Sequence, residues 1–479
     1  MGKLARNYIY NILYQLLVLV APILTAPYLA RVLGAELLGV ANYVVTVAGV
    51  FTTIGLLGVQ NYAIREIAYV RDEPEKLKQT FYEIVWLRLF LGIVTLAIYI
   101  PYIWLSSYPD LMLIELMYVI AVFIDPCWFY IGMEDMGKAV ARNFFAKAAN
   151  IIGIFLLVKT QQDYVKYVFL LSFMTLLASL LATPPLRKYI KSGPPKVSLK
   201  SLKWHLKGSL QLFWPQVATL VYLSVDKIML EHFVSSSAVA YYDQAEKIVK
   251  IPLTFITVLS TVMMPRLASQ FSNGNNDQVK SYLSKTIQFS SMLAYPMMFG
   301  VAGVAATLIP WYLGDEFIPV IMAIWVLSPL IVLNSMVGIS GDQYLVATKQ
   351  THILTMSYVA AAIVNVIIDA VLIPKVGVVG AAVGTIAAYG VSLLVQYRTL
   401  LNQLNLKKDI MNATGYLLKA VPMMIVVIAI SRVMAATWIT TAVQVVVGVA
   451  VYGGTLFLLK DPLLYELAEK AQKIIFVKK

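Results

Sequence analysis

Long apolar stretches, separated by short polar ones, run through the whole chain. A membrane-spanning helix needs about 20 mostly apolar residues, and fourteen segments of the sequence approach that pattern. They are 8–30, 39–60, 81–103, 111–131, 143–158, 164–183, 208–230, 239–263, 286–310, 318–340, 353–373, 378–396, 416–434 and 438–459. The pattern predicts an all-α integral membrane protein with about fourteen helices joined by short loops.

Lysine and arginine are concentrated in alternate loops between these segments. With the N-terminus inside, about 29 basic residues fall in cytoplasmic segments and about 5 outside, as the positive-inside rule requires. Both termini are therefore expected in the cytoplasm. The same preference accounts for most of the net charge of +13, so no nucleic-acid partner is expected.

The chain is expected to form two lobes. A basic segment with Gly, Pro and Ser at residues 191–207 predicts a cytoplasmic linker between an N-terminal lobe (1–190) and a C-terminal lobe (208–400). Two further helices (401–460) and a cytoplasmic amphipathic helix (461–479) follow, with Asp461 as the cap of that last helix. A weak repeat relates LGAELLGVANY (33–43) to FVSSSAVAYYD (233–243). Such repeats are typical of two lobes around a central cavity.

Prolines in the spans free a backbone carbonyl and permit a bend. Such a proline marks either a static kink or a hinge. The hinge candidates are Pro22, Pro27, Pro215 and Pro252.

Composition excludes several classes of protein. Of the 479 residues, 60% are hydrophobic and only 13% are charged, against about a quarter charged in soluble domains. The single cysteine and three dispersed histidines give no disulfide framework and no predicted metal site. The sequence has no GxxxxGK[ST] phosphate loop. We therefore expect no cofactor and no nucleotide hydrolysis.

Ionisable residues inside the spans are the candidates for function, because each costs about 2.5–3.5 kcal/mol to insert at a helix centre. The eighth span holds Asp243, Glu246, Lys247 and Lys250, as two acid–base pairs four residues apart. These pairs either neutralise each other on the helix or line a water-filled cavity. We favour the cavity, because even paired charges are expensive against lipid.

Both signs of charge occur among these candidates. Basic groups would attract an anionic substrate such as a phosphate, and the candidates are Arg88, Lys227, Lys247, Lys250, Arg31 and Arg65. Acidic groups could couple transport to a proton or sodium gradient, and the candidates are Asp125, Asp226, Asp243, Glu246 and Asp369. Five residues, Glu83, Glu115, Arg31, Arg65 and Arg432, lie near span ends, where we expect them to reach water rather than to mark a site.

Several stretches of the chain resemble polysaccharide or oligosaccharide-lipid flippases (Wzx type), in the MOP superfamily with the MATE exporters and the lipid II flippase. The stretches are YLARVLGAELLGVANY from Tyr28, NYAIREIA from Asn61, VDKIML from Val225, VAYYDQAEKIVKIP from Val239 and NVIIDAVLIPKVGVVGAAVGTIAAYG from Asn365. In the last, Asn365, Pro374, Gly377, Gly380, Ala381 and Ala382 match the family pattern. Asp369 departs from it, since the family has an apolar residue there.

The resemblance implies a MATE-like fold and transport by alternating access. The implied substrate is an undecaprenyl-pyrophosphate-linked oligosaccharide, moved from the cytoplasmic to the outer leaflet of the bacterial plasma membrane for capsule or exopolysaccharide assembly. A polysaccharide polymerase and co-polymerase are the implied protein partners. It also implies that residues 226–227 and 243–250 line the cavity.

Three alternatives stay open. One is a flippase for teichoic acid or another envelope precursor, and another is a MATE-like drug/cation antiporter. The third, a membrane glycan-transfer enzyme, is disfavoured because the outer loops are short and lack paired carboxylates.

Overall fold

The structure is a computed structural model of an all-α protein. It describes the backbone of residues 3–190, 195–466 and 469, without the side chains of 3–16, 18–19, 136, 138–140, 187, 222–223 and 257–266. No β-strand occurs within these ranges. The α-helices are α1 (Lys3–Gly55), α2 (Val59–Val70), α3 (Pro74–Leu105), α4 (Pro109–Ile124), α5 (Cys127–Gly132), α6 (Met136–Leu157), α7 (Tyr164–Leu181), α8 (Leu199–Phe233), α9 (Ser236–Ser272), α10 (Asn276–Tyr312), α11 (Val320–Leu327), α12 (Leu330–Gly338), α13 (Thr351–Val376), α14 (Val378–Leu404), α15 (Lys407–Val433) and α16 (Trp438–Leu458).

Length and hydropathy make most of these helices membrane spans. In the described part of the chain, ten helical segments are long and apolar enough to cross a membrane. One of them, Val20–Gly55, covers most of the first two predicted spans. Three other predicted spans coincide with α6, α8 and α9, which carry more charged residues. The prediction of an all-α, multi-pass membrane protein is confirmed.

Three interruptions explain why helices and predicted spans do not correspond one to one. The first two spans form the single element α1, whose backbone leaves helical geometry at Gly34 (φ 76°, ψ 175°). The fourth span breaks between α4 and α5 at Asp125 and Pro126, and the tenth breaks between α11 and α12 at Pro329. Proline stops each of these last two helices because it has no N–H to donate.

Contacts divide the chain into two compact units, Met1–Ala240 and Tyr241–Lys479. Within the first unit, α4 packs on α1, α3 and α7, and α8 packs on α1, α2 and α3. Within the second, α13 packs along α14, and α10 and α16 both pack on α15. The lobe boundaries given by the sequence stay a prediction.

The predicted cap of the C-terminal helix is formed. Oδ1 of Asp461 accepts the backbone N–H groups of Leu463 (3.1 Å) and Leu464 (3.2 Å), and Nζ of Lys419 lies 2.5 Å from Oδ2. Burial acts to raise the pKa of Asp461, but these donors outweigh it and hold the pKa below its usual value. The chain after α16 is thereby anchored to α15. The predicted helix beyond residue 466 lies outside the described residues, apart from residue 469.

Candidate functional site

A cavity of about 630 Å³ in the first unit contains two of the residues predicted from the sequence. Its walls come from α3, α5 and the segments where α4 and α7 end, and they are mainly aromatic and aliphatic. Arg88 and Asp125 are its charged lining residues. The structure therefore places a predicted cation and a predicted carboxylate in one cavity.

Arg88 is almost completely buried, with 1% of its surface exposed, and its guanidinium is bound within the protein. Nε donates to the carbonyl of Phe123 (3.2 Å), and Nη2 donates to those of Val122 (2.5 Å) and Asp125 (3.4 Å). Nη1 donates to Oε1 of Gln60 (2.8 Å). The last carbonyls of a helix have no partner inside it, and a cation is favoured there. Arg88 thus caps the C-terminal end of α4, and its role as an anion ligand stays a prediction.

Asp125 is held by an arginine that the sequence did not single out. Its Oδ1 lies 3.2 Å from Nη2 of Arg142 and also accepts the N–H of Cys127 (3.3 Å). Arg142 donates further to the hydroxyl of Ser179 (2.8 Å). Since Arg142 follows the break between α4 and α5, only the fold brings it back to Asp125.

Both acid–base pairs predicted in the eighth span are formed on α9. Nζ of Lys247 lies 2.5 Å from Oδ2 of Asp243, and Nζ of Lys250 lies 2.6 Å from Oε1 of Glu246. The carboxylates are buried, while each lysine side chain is 40% exposed. An ammonium group has three N–H donors, so each lysine has donors beyond the one that its pair uses. The pairs keep α9 near neutral and present two ammonium groups at its surface.

The remaining predicted site residues of the first unit have different surroundings. In α8, Asp226 is fully buried and Lys227 is half-buried. Arg65 pairs with Glu66 at 3.1 Å, whereas Arg31 is exposed on α1. Their roles in binding or coupling stay predictions.

Asp369 lies in a small polar site between α13 and α14. Asp369 and Asn365 are four residues apart on α13 and both are fully buried. A Cβ atom at Gly384 of α14 would lie 1.9 Å from Oδ1 of Asp369, so the carboxylate needs a glycine opposite it. In the described chain, the side-chain amide of Asn365 has no hydrogen-bond partner. The Thr385 hydroxyl, in the same region, is hydrogen-bonded to Tyr242 (2.6 Å). Carboxylate, amide and hydroxyl oxygens are the ligands that hard cations prefer.

All four predicted hinge prolines lie inside helices. Pro22 and Pro27 lie in α1, Pro215 in α8 and Pro252 in α9. Pro252 borders an apolar cavity of about 430 Å³ in the second unit, whose walls come from α9, α10, α15 and α16. Hinge motion at these prolines stays a prediction.

Two glutamates that were expected to reach water are buried, and that expectation was wrong. Oε2 of Glu83 lies 2.9 Å from Nε2 of His205, whose Nδ1 shares a hydrogen bond with the Tyr62 hydroxyl (2.8 Å). Glu115 is 1% exposed and accepts a hydrogen bond from Ser172 (2.9 Å). In both cases packing against neighbouring helices prevents the side chain from reaching water. No local sequence signal identifies these partners, because they come from other helices.

Comparison with known proteins connects these features to a family. Residues 4–271 match the model of a family described as polysaccharide biosynthesis protein, and residues 145–452 match that of the lipid II flippase MurJ. Each match covers more than half of the chain. The chain belongs to the Wzx-type polysaccharide flippases of the MOP superfamily. The resemblance found in the sequence is confirmed, and the flippase is a transporter rather than an enzyme.

Individual relatives are distant but similar over long stretches. A protein of Escherichia coli (strain K12) named for O-antigen transport is 22% identical over 80% of the flippase and 94% of its own length. A protein of Haloferax volcanii named as the low-salt glycan biosynthesis flippase Agl15 is 24% identical over 58% of the flippase and 57% of its own length.

Two solved structures show the same fold. The lipid II flippase MurJ in an inward closed conformation aligns with a TM-score of 0.71 at 16% identity, covering 96% of this chain and 100% of that one. An inward-facing MATE family multidrug transporter aligns with a TM-score of 0.64 at 14% identity, covering 81% and 96%. The predicted MATE-like fold is confirmed.

Proposed function

We propose that the flippase moves an undecaprenyl-pyrophosphate-linked oligosaccharide repeat unit from the inner to the outer leaflet of a bacterial plasma membrane. The product would serve capsule or exopolysaccharide assembly, with a polymerase and co-polymerase as the next partners. Both termini would lie in the cytoplasm, and the two lobes would alternate access to the substrate. Membership of the polysaccharide family and the names of the relatives support this substrate class.

The observation that carries the proposal is the pair of half-exposed lysines on α9. A pyrophosphate linkage is anionic, and an ammonium group binds phosphate as a point charge. Because Asp243 and Glu246 already neutralise the lysines, the helix is stable before substrate arrives. A lysine can then bind a phosphate oxygen through its remaining N–H donors while its carboxylate stays paired.

The apolar cavity bordered by Pro252 suits the lipid part of the substrate. Its lining includes Met297, Gly300 and Val304 of α10 and Met423 of α15. Methionine fills irregular apolar space and adapts to flexible ligands. A segment of polyprenyl chain would find there the same apolar medium as in the bilayer.

Replacing Lys247 or Lys250 by alanine is expected to abolish transport, because each change removes one of the two ammonium groups that would hold the pyrophosphate. Transport is measured as surface polysaccharide in cells and as flipping of lipid-linked oligosaccharide in proteoliposomes. The matched control is Lys407→Ala, which removes an exposed lysine at the start of α15.

A second variant separates substrate binding from folding. Glu246→Gln combined with Lys250→Ala removes the cation without leaving a buried carboxylate unpaired. If transport needs the ammonium, the double variant stays inactive while its membrane level is normal. Normal surface polysaccharide in both single lysine variants would overturn the proposed anion site.

For the coupling ion we propose Asp369, with Asn365 beside it. The side chains of Asp369 and Asn365 are both fully buried on one face of α13. Within the described chain the side-chain amide of Asn365 makes no hydrogen bond, so its oxygen is available as a ligand. This arrangement suits a sodium ion or a proton on the carboxylate.

Asp369→Asn is expected to remove the acceleration that an imposed sodium or pH gradient gives to transport, because the neutral amide cannot be charged and discharged. The measurement is the rate of flipping in proteoliposomes with and without each gradient, and Asp315→Asn is the exposed control. Wild-type transport that ignores both gradients would contradict coupling.

A flippase for teichoic acid or another envelope precursor is the second candidate. The match of residues 145–452 to the lipid II flippase model favours it. The flipping rates of purified lipid-linked precursors of each class, measured in proteoliposomes that contain the flippase, distinguish the two candidates. We expect the physiological substrate to be flipped fastest.

A further inference from the structure

Glu115 is a carboxyl group buried at membrane depth that the proposed transport steps do not use. It lies on α4 about 9 Å along the helix from Pro109, at the 1.5 Å rise per residue of an α-helix. Only 1% of its surface is exposed. The side chain of Glu115 is therefore enclosed within the first unit, between α4 and the helices that pack on α4.

Among the described residues, the surroundings of Glu115 contain no counter-charge. The helices that pack on α4 are α1, α3 and α7, and the titratable groups near Glu115 are the phenols of Tyr99 on α3 and Tyr118 on α4. A tyrosine is uncharged near neutral pH. No lysine, arginine or histidine of the described chain lies within ion-pair distance of Glu115.

Burial without a cation strongly disfavours the charged form. Moving an ion from water into the protein interior costs several kcal/mol even after relaxation, and a carboxyl group avoids that cost by taking up a proton. The hydroxyl of Ser172 on α7 lies 2.9 Å from Oε1. A serine hydroxyl both donates and accepts, so Ser172 can donate to the carboxylate and accept from the carboxylic acid.

We propose that Glu115 is a proton-binding site of the flippase, where a proton adds to a carboxylate oxygen to give a buried carboxylic acid and leaves again as the carboxylate re-forms. Ser172 holds the group in both states. The site lies in the first unit and Asp369 lies in the second, so the two proposed ion-binding carboxyl groups belong to different units. This deepens the coupling part of the proposed function and rests on it.

Infrared spectroscopy of the purified flippase in lipid nanodiscs tests the site directly. A protonated carboxyl group has its own carbonyl stretching band, and a solvated glutamate is ionised at neutral pH. We expect that band at neutral pH in the wild type, and we expect it to disappear reversibly as the pH is raised. Glu115→Gln should remove the part of the band that Glu115 contributes, while Asp110→Asn, an exposed acid in the first turn of the same helix, should leave the band unchanged.

Ser172→Ala tests whether the band comes from the carboxyl group that is hydrogen-bonded to Ser172 or from a carboxyl group elsewhere in the protein. Loss of the hydroxyl should keep the band but move it to higher frequency, because a hydrogen bond weakens the carbonyl bond. Identical spectra of wild type and Glu115→Gln would overturn the assignment. A band that does not respond to pH would overturn proton exchange.

A transport experiment then separates this site from the proposed substrate. In proteoliposomes, Glu115→Gln should lose the difference in rate that a pH gradient causes in the wild type. If the wild type flips no lipid-linked oligosaccharide, the proposed function fails, while the spectra still decide whether Glu115 binds a proton.

Discussion

Arg88→Ala is expected to lower the stability of the flippase by several kcal/mol, because each buried carbonyl that loses its hydrogen-bond donor costs about 1–3 kcal/mol. The change leaves the carbonyls of Val122, Phe123 and Asp125 without their donor at the end of α4. It also empties the volume of a fully buried side chain beside Trp128, whose ring lies 5.9 Å from the guanidinium carbon. The measurement is thermal unfolding of the purified protein in detergent.

Two variants make this result specific. Arg88→Lys keeps the charge but has no planar fork to reach several carbonyls at once, so it should recover only part of the loss. Arg432→Ala removes an exposed arginine near the end of α15 and should change the melting temperature little. A melting curve of Arg88→Ala that matches the wild type would show that the capping contacts contribute nothing to stability.

Gly39→Ala is expected to be a strongly disruptive single-methyl change in α1. A Cβ atom at Gly39 would lie 1.7 Å from the backbone oxygen of Ser236, at the start of α9. The obstacle is backbone, which cannot rotate away, so the cost should reach the upper end of the range of about 1–3 kcal/mol for overpacking. We expect a lower melting temperature and a large loss of transport in proteoliposomes.

Gly49→Ala is the matched control for this change, since it makes the same substitution in the same helix. In the described structure no neighbouring atom lies within 4 Å of a Cβ atom there. Alanine favours a helix over glycine by about 1 kcal/mol, so Gly49→Ala should be neutral or slightly stabilising. Equal effects of the two substitutions on the melting temperature would show that the close contact with Ser236 does not destabilise the Gly39→Ala variant.

Interactions between neighbours on one helix were predictable from spacing alone. The Asp243–Lys247 and Glu246–Lys250 pairs follow from four-residue spacing, which places two side chains on the same face. The Asp461 cap also follows from its place before Pro462 and an apolar stripe. In each case both partners lie within a few residues in the sequence.

Interactions between helices were not predictable in the same way. Glu83 and Glu115 looked like interfacial residues because they lie near span ends, yet His205 and Ser172 come from other helices to meet them. Arg88 was singled out as a buried cation, but its partners at the end of α4 depend on the packing of α3 against α4. The interruption of α4 at Asp125 was also missed, because the apolar pattern continues across it.

The sequence by itself determined that this protein is an all-α membrane protein, because apolar stretches of span length leave no soluble alternative. Its motifs also determined the family. Only the tertiary structure decided which charges at membrane depth are neutralised by neighbours, which cap a helix end and which lie buried without a counter-ion. The physical reason is that the energy of a buried charge depends on the few ångströms around it, and helices distant in sequence supply those neighbours.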